Sequence, residues 1–265
     1  MSPVDHESAD LLRRTLVIAR QAGELVLEVY GRHVAARAKA DDSPVTEADE
    51  RAEELIVTAL SGLGRDVPIV AEEAVAAGRT PRVGDVFWLV DPLDGTKEFV
   101  SRNGEFTVNI ALVQSQQPVL GVVYAPALGT LYAGTRRHGA FVEERGERRG
   151  IVTRPVPEAG LTVVGSRSHG DADAMASFLA GRKVADTKQA GSSLKFCLVA
   201  EGAADLYPRF GRTMEWDTAA GHAVLLAAGG RVDTLAGTPL RYGKPGFENP
   251  HFVASGTAPR EAPVR

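Results

Sequence analysis

The strongest hydrophobic pattern lies in two neighbouring segments in the first half of the chain. Residues 87–90 (FWLV) form an uninterrupted apolar run, and residues 106–113 (FTVNIALV) alternate between large apolar side chains and smaller or polar ones. Both patterns are typical of β-strands. Shorter strands follow at 119–124, 130–134 and 139–143, separated by proline and glycine turn signals. The pattern therefore predicts a sheet in this half of the chain.

Helices are predicted before these strands and throughout the second half. Apolar side chains recur at helical spacing over residues 12–30, and Gly31 is expected to end this helix. The same spacing recurs over residues 46–63. After residue 157 the pattern alternates between short strands and helices. Strands are predicted at 161–164, 183–187 and 204–207. Helices are predicted at 171–180, from 191 onward and from Trp216 to Gly229. This alternation predicts an α/β protein.

The segment 154–157 (RPVP) interrupts the pattern and marks a boundary. We therefore expect two α/β halves, residues 1–154 and residues 155–265. A chain of 265 residues is long enough for either one large domain or two small ones.

Composition narrows the class of protein. Hydrophobic residues make up 44% and charged residues 24%, as in ordinary globular proteins, and the net charge of −4 offers no basic surface for nucleic acid. Cys197 is the single cysteine, so no intramolecular disulfide can form. The first residues lack the pattern of a signal peptide, and no apolar stretch approaches the length of a membrane span. We expect a cytoplasmic protein without a transmembrane segment, or one held peripherally at the inner membrane.

Candidate chemistry follows directly after the first apolar run. Residues 91–96 read DPLDGT, and Pro92 suits the second position of a β-turn from Asp91 to Asp94. Such a turn brings the two carboxylates together, and a hard divalent cation would relieve their repulsion, with the Leu93 carbonyl as a further ligand. Gly95 and Thr96 are predicted to open a helical turn that could receive a phosphate. The alternative is a capped strand-to-helix turn with two solvated aspartates.

Other polar positions remain ambiguous when they are judged from the residues alone. Thr46 and Asp49 match a capping box, and Asp217 and Ser192 could each cap a helix. The Glu72–Glu73 pair at the end of a predicted strand could simply be solvated. The same holds for His169 after another strand, since a lone histidine there is more often a surface residue than a ligand.

These motifs together resemble the inositol monophosphatase superfamily of Mg²⁺-dependent, lithium-sensitive phosphatases. The stretches WLVDPLDGTKEF and RNGEFTVNIALV are similar to its CysQ branch, the 3′(2′),5′-bisphosphate nucleotidases. Glu-Glu at 72–73, DPLDGT at 91–96 and WDTAAG at 216–221 occur in the order of the superfamily, and the resemblance covers nearly the whole chain. It implies the layered αβαβα sandwich of the inositol monophosphatase/fructose bisphosphatase type.

The resemblance also implies roles for individual residues. Two or three Mg²⁺ ions would be held by five groups, namely Glu72, Asp91, the Leu93 carbonyl, Asp94 and Asp217. Thr96 and Asp49 would activate the attacking water, and Glu72 would share in catalysis. The substrate contacts would be Gly95, Thr96, His169, Ser192, Lys195, Arg209 and Asp217.

The activity implied is hydrolysis of the 3′-phosphate of 3′-phosphoadenosine 5′-phosphate (PAP) to AMP and phosphate by metal-activated water. Inositol monophosphate and fructose 1,6-bisphosphate are alternative substrates within the class. A different class remains as well: a non-catalytic protein that uses the scaffold to bind RNA or RNA polymerase. The intact ligand set argues against an idle scaffold, and the acidic balance argues against RNA. We expect a small phosphorylated substrate as partner and a monomer or homodimer.

Overall fold

The computed structural model describes residues 3–32, 37–38, 44–63, 66–166 and 172–256. Its helices are α1 (Pro3–Tyr30), α2 (Glu47–Ser61), α3 (Glu72–Ala76), α4 (Thr96–Val100), α5 (Ala172–Leu179), α6 (Leu194–Ala200) and α7 (Glu215–Ala227). Single turns of 3₁₀ helix lie at Pro126–Leu128 and Pro245–Phe247. The strands are β1 (Arg37–Ala38), β2 (Pro44–Val45), β3 (Ile69–Ala71), β4 (Val86–Asp94), β5 (Thr107–Gln114), β6 (Gln117–Ala125), β7 (Thr130–Thr135), β8 (Gly139–Glu144), β9 (Glu147–Ile151), β10 (Leu161–Ser166), β11 (Val184–Ala190), β12 (Leu206–Arg209), β13 (Arg231–Thr234) and β14 (Phe252–Ser255).

The longer strands form a sheet in each half of the chain. A seven-stranded sheet has the order β3-β4-β5-β6-β7-β8-β9, in which β3 and β4 are parallel and the remaining neighbours are antiparallel. A five-stranded sheet has the order β11-β10-β12-β14-β13, with β10 parallel to both of its neighbours. The short strands β1 and β2 pair with each other. The sequence-based prediction of an α/β protein is confirmed.

The layers follow from how the apolar side chains of each strand divide between two cores. On β4, Phe87 and Leu89 join the core formed with α6 and α7, whereas Trp88 and Val90 join the core formed with α1 and α2. Successive side chains of a strand point to opposite faces, so the continuous run FWLV reflects a strand that is buried on both sides. Helices α1 and α2 thus cover one face of the large sheet, and α6 and α7 fill the space between the sheets.

The outer face of the small sheet carries the last layer. Tyr207 of β12 belongs to the core shared with α6 and α7, whereas its neighbour Leu206 lines a cavity on the opposite face together with Phe178 of α5. Helix α5 therefore lies outside the small sheet. The order helices, sheet, helices, sheet, helices is the αβαβα sandwich that the resemblance predicts.

Two strands of the large sheet carry glycines that let α7 approach closely. A Cβ atom at Gly121 would lie 2.3 Å from the Ala220 carbonyl oxygen, and one at Gly134 would lie 2.8 Å from the Ala227 Cβ atom. Both distances are shorter than van der Waals contact allows, so side chains here would force the helix away. The close packing sets the position of the amino-terminal end of α7, where Asp217 lies.

The division into halves at residue 154 stays a prediction. The strands of the two sheets fall on either side of residues 152–160, but α7 from the second half packs against the sheet of the first. The Arg154 guanidinium donates to both carboxylate oxygens of Asp205, over 2.9 and 3.0 Å. This ion pair connects the predicted boundary to Asp205, the residue directly before β12 of the small sheet.

Candidate active site

The residues 91–94 form a bulge inside β4, and the prediction that the strand stops at Asp91 in a β-turn is wrong. Asp91 pairs with Asn109 and Asp94 pairs with Thr107, so β4 has one more residue than β5 between these pairs. Pro92 has no N–H to donate to a sheet, and a bulge is where a strand tolerates that loss. The Asp91 carboxylate turns back to accept a hydrogen bond from the Leu93 N–H over 3.0 Å. The bulge therefore places both aspartates at the carboxyl end of β4.

A cluster of carboxylates forms where this bulge meets two other segments. Glu72, Asp91 and Asp217 each offer a carboxylate oxygen, and these oxygens lie within 4.8 Å of one another. They come from the first residue of α3, from the bulge of β4 and from the first turn of α7. The sequence separates them widely, and the fold brings these three together. Asp94, the fourth predicted carboxylate ligand, is not part of this group, although it lines the same cavity, and the roles of all four as metal ligands stay predictions. Clustered carboxylate oxygens are the donor set that hard divalent cations prefer.

The electrostatics of the cluster also fit a cation. Burial raises the pKa of Asp94 to about 6, although the Lys195 charge and a hydrogen bond from Asn109 act in the opposite direction. Burial, together with the charges of Asp94 and Glu72, raises the pKa of Asp217 well above its ordinary value. Carboxylates that repel each other in this way are stabilised in their charged form by a positive ion. The residues present therefore fit the metal ions that the resemblance implies.

Thr96 lies at the start of α4 and is within reach of Asp49. Its hydroxyl is 3.3 Å from Asp49 Oδ1 and 3.4 Å from the Leu93 carbonyl oxygen. The other oxygen of Asp49 accepts from the Thr46 N–H and hydroxyl, each over 2.7 Å. The predicted capping box is therefore present, and the same carboxylate lies within reach of Thr96. A role of Asp49 in activating water stays a prediction. The predicted helical turn after Gly95 is confirmed as α4.

A cavity of about 270 Å³ opens beside the cluster. Its walls include both carboxylates and basic side chains. The lining residues that bear on function are Glu72, Asp91, Leu93, Asp94, Gly95, Thr96, Lys97, Ser166, Ser192, Lys195, Arg209, Arg212 and Asp217. All the predicted metal ligands and all the predicted substrate contacts among the described residues line this one cavity. His169 lies outside the described residues, and the strand β10 that precedes it ends at Ser166 in the cavity wall.

Ser192 holds the two halves of the site together. It adopts a left-handed backbone conformation with φ of 49°, which is uncommon for residues other than glycine. Its hydroxyl lies 2.8 Å from the carbonyl oxygens of both Asp94 and Glu105. A Cβ atom at Gly95 would lie 2.2 Å from this hydroxyl oxygen, so only glycine fits opposite Ser192. The predicted role of Ser192 as a substrate contact stays a prediction.

Lys195 and Arg209 form the basic part of the wall. Lys195 is buried, and its ammonium donates to the carbonyl oxygens of Ser192 (2.6 Å) and Ala190 (3.3 Å). Burial lowers its pKa to about 8, partly offset by the Asp94 charge, while the nearby charge of Arg209 lowers it further. Arg209, at the end of β12, donates from Nη2 to the Arg212 carbonyl oxygen over 3.1 Å. Two cations in the wall of one cavity form a site suited to an anion.

Several polar residues that support the site escaped the sequence analysis. The Asn109 amide nitrogen is 3.2 Å from Asp94 Oδ2 and 3.1 Å from the Ser193 hydroxyl. The Ser193 hydroxyl in turn donates to the Asp217 carbonyl oxygen over 2.7 Å. This chain of contacts connects the bulge of β4 to α7. An asparagine in the middle of an apolar strand was the available signal, because a buried amide needs partners.

A further set of hydrogen bonds stabilises the amino-terminal end of α7. The fully buried Glu215 carboxylate accepts from the N–H groups of Gly243 and Lys244 and from the Lys244 ammonium, over 2.6–2.9 Å. Asp217 itself accepts from the Met214 N–H over 2.8 Å, so it caps the helix and also faces the cluster. His222, one turn further on, is buried, and its Nδ1 atom lies 2.9 Å from the Tyr242 hydroxyl oxygen.

Comparison with known proteins identifies the class that this fold and site define. The model of the inositol monophosphatase family matches residues 10–260, and the chain belongs to that family. The 3′(2′),5′-bisphosphate nucleotidase CysQ of Escherichia coli K12 is 47% identical over 248 residues, which cover 92% of this chain and 99% of that protein.

Solved structures give the same result. The crystal structure of CysQ from Bacteroides thetaiotaomicron matches with a TM-score of 0.78 and 39% identity, and covers 93% of this chain and 97% of that one. The Thermotoga maritima IMPase matches with a TM-score of 0.76 and 28% identity, covering 93% of this chain and 92% of that one. The superfamily and its CysQ branch, expected from the motifs, are confirmed. Over the described residues, no helix has both the length and the apolar composition of a membrane span.

Proposed function

We propose that this protein is a Mg²⁺-dependent 3′(2′),5′-bisphosphate nucleotidase that hydrolyses the 3′-phosphate of PAP to AMP and phosphate. The observation that carries the proposal is a single cavity whose lining contains the carboxylate cluster together with Lys195 and Arg209. PAP has two phosphates, one to be cleaved and one to be held. The similarity to the CysQ proteins named above supports the same substrate class.

The metal site would use the carboxylate cluster together with Asp94, which lines the same cavity. Glu72, Asp91, Asp94 and Asp217, with the Leu93 carbonyl oxygen, would hold two or three Mg²⁺ ions. When bound, such ions neutralise phosphate oxygens, lower the pKa of water and stabilise a leaving alkoxide. Asn109 and Ser193 keep Asp94 and the backbone of Asp217 in place through their hydrogen bonds.

Thr96 and Asp49 would orient and deprotonate the attacking water. When the Thr96 hydroxyl donates to Asp49 Oδ1, its oxygen lone pairs are left to accept a hydrogen bond from water. Proton transfer from this water through Thr96 to Asp49 then accompanies attack on phosphorus. Thr46 holds the other oxygen of Asp49, so the carboxylate cannot rotate away.

Lys195 and Arg209 would bind the phosphate that is not cleaved. The Lys195 ammonium has three donors, and its described hydrogen bonds to Ala190 and Ser192 use two of them. The Arg209 guanidinium offers a planar fork that matches phosphate oxygens. Ser192 and Gly95 would shape the space between the two phosphates, and His169 stays a candidate contact to the nucleotide.

The two predicted halves enter this proposal with separate tasks. Residues 1–154 supply most of the metal ligands and the water-activating pair, whereas residues 155–265 supply Asp217 and the basic wall. The substrate would therefore bind where the halves meet. A monomer or a homodimer is compatible with this arrangement.

A substrate panel tests the proposal. Phosphate release is measured with PAP, inositol 1-phosphate and fructose 1,6-bisphosphate, each with Mg²⁺ and with a chelator. We expect the highest kcat/KM with PAP, AMP as the nucleotide product and no turnover without a divalent cation. A higher kcat/KM with inositol 1-phosphate or fructose 1,6-bisphosphate would overturn the substrate assignment. Absence of hydrolysis with all three substrates would favour the non-catalytic alternative.

A further inference from the structure

Helix α3 begins at Glu72 without a cap from its own N-cap residue. That residue is Ala71, which has no side chain able to accept a hydrogen bond from the first turn. The first N–H groups of a helix need acceptors from elsewhere, and a short helix is poorly stable without them. The acceptors come from α2: Glu53 Oε2 accepts from the Glu73 N–H over 2.6 Å, and Oε1 accepts from the Ala74 N–H over 2.7 Å.

A buried glutamate such as Glu53 is an unusual acceptor for the N–H groups of a helix amino terminus. Only 6% of the residue is exposed, and burial together with the neighbouring Glu72 charge raises its pKa, although the two backbone hydrogen bonds lower it. A serine at position 71 would cap the helix without burying a carboxylate. What Glu53 adds is a connection to a second, longer helix, because both of its oxygens bind the backbone directly after Glu72.

The same helix also reaches the other side of the site. Asp49 lies four residues before Glu53, so the two side chains lie on one face of α2. Asp49 contacts Thr96 at the start of α4, and Glu53 binds the start of α3. Helix α2 therefore sets the positions of Glu72 and Thr96 relative to each other.

We propose that Glu53 is a positioning residue for the metal site: it fixes α3 so that the Glu72 carboxylate faces Asp91 and Asp217. The proposal rests on the carboxylate cluster being a cation site, as in the proposed function, but not on which substrate is cleaved. Loss of Glu53 would let the first turn of α3 fray, and the cation would then have to order Glu72 before binding it. Metal affinity should fall, while turnover at saturating metal should change little.

Direct metal binding tests this proposal without any substrate. Mn²⁺ and Mg²⁺ affinities are measured by calorimetry for the wild type, for Glu53→Gln and for the matched control Glu54→Gln, whose side chain is exposed beside it. We expect about 10-fold weaker binding for Glu53→Gln, the effect of losing one hydrogen bond to a charged group. The control should bind like the wild type. Unchanged affinity in Glu53→Gln, even with a lower melting temperature, would show a merely structural role.

A charge-preserving variant separates position from electrostatics. Glu53→Asp keeps the negative charge but draws the carboxylate back by about 1.5 Å, the length of one C–C bond. If geometry matters, Glu53→Asp should lose metal affinity as Glu53→Gln does. Wild-type affinity in Glu53→Asp would show that only the charge counts, and the positioning role would be withdrawn.

The wild-type protein provides a measurement that does not depend on any variant folding. Coupling between sites is reciprocal, so a cation that binds Glu72 must strengthen the hydrogen bonds that hold α3. Saturating Mg²⁺ should therefore slow hydrogen exchange of the Glu73 and Ala74 amides by about the same factor of 10. Unchanged exchange at saturating Mg²⁺ would overturn the proposal. If the wild type binds metal but releases no phosphate, the proposed function fails and this inference stands.

Discussion

Replacement of Arg209 by alanine tests how the cavity distinguishes a bisphosphate from a monophosphate. Arg209 ends β12 in the cavity wall and lies close enough to Lys195 to depress its pKa. A phosphate bound between these two cations would lose a charge-assisted hydrogen bond in Arg209→Ala. Such a bond contributes about 1.5–3 kcal/mol. Since each 1.36 kcal/mol corresponds to a factor of ten, kcat/KM for PAP should fall roughly 10- to 200-fold.

The assay compares two substrates in the same preparations. Inositol 1-phosphate has one phosphate, which occupies the metal end, so its kcat/KM should hardly change in Arg209→Ala. Arg209→Lys should be intermediate for PAP, because lysine keeps the charge without the planar fork. Arg231→Ala is the control, since Arg231 is exposed and pairs with Asp233 away from this cavity. Melting temperatures show whether the lost hydrogen bond to the Arg212 carbonyl affects folding.

Two outcomes would refute this reasoning. Equal losses with PAP and inositol 1-phosphate would mean that Arg209 supports the scaffold or the metal end. No loss with either substrate would remove the second phosphate from this wall, and the inositol phosphatase alternative would then be favoured.

Three further perturbations address the metal site and the stability of the fold. Asp94→Asn removes one charge from the cluster at constant shape, and because bound metal supplies several kcal/mol of transition-state stabilisation, phosphate release should fall about 1000-fold or more. His222 is neutral in the fold because burial lowers its pKa to about 3, whereas in the unfolded chain it takes up a proton below about pH 6.5. The free energy of unfolding should therefore drop by about 1.4 kcal/mol per pH unit between about pH 6.5 and pH 3, and denaturant titrations should show that His222→Gln lacks this part of the slope. Arg154→Ala leaves the Asp205 carboxylate with the Thr162 N–H but without its ion-pair partner, and should cost about 1–2 kcal/mol of stability, between an exposed and a fully buried pair because Arg154 is 35% exposed.

For each of these three predictions, a control variant or a specific result decides whether the reasoning holds. Near-normal turnover of Asp94→Asn at saturating Mg²⁺ would remove Asp94 from the metal site, and Asp85→Asn, at an exposed aspartate, is its control. An identical pH dependence in His222→Gln and wild type would show that His222 is not held neutral. The double variant Arg154→Met with Asp205→Asn should recover part of the lost stability, because it leaves no buried charge. Failure to recover would locate the cost in packing instead.

The sequence alone determined the parts of this protein that depend on neighbouring residues. The Thr46–Asp49 capping box and the helical turn after Gly95 are present as predicted, because the spacing of a few residues along the backbone decides them. The alternating and continuous apolar segments also became strands. Three motifs in order were sufficient to place the chain in its family and hence to predict the order of its layers.

Only the tertiary structure decided how these parts meet. The bulge at Asp91–Asp94 depends on register against β5, and the approach of Asp217 depends on the glycines that admit α7 to the sheet. The hydrogen bonds of Ser192 and Glu53 cross between segments that the sequence separates by 20 to 98 positions. Contacts over such distances depend on the packing of whole elements and leave no local periodicity in the chain. This is why a buried carboxylate such as Glu53 cannot be distinguished from a solvated one until the fold surrounds it.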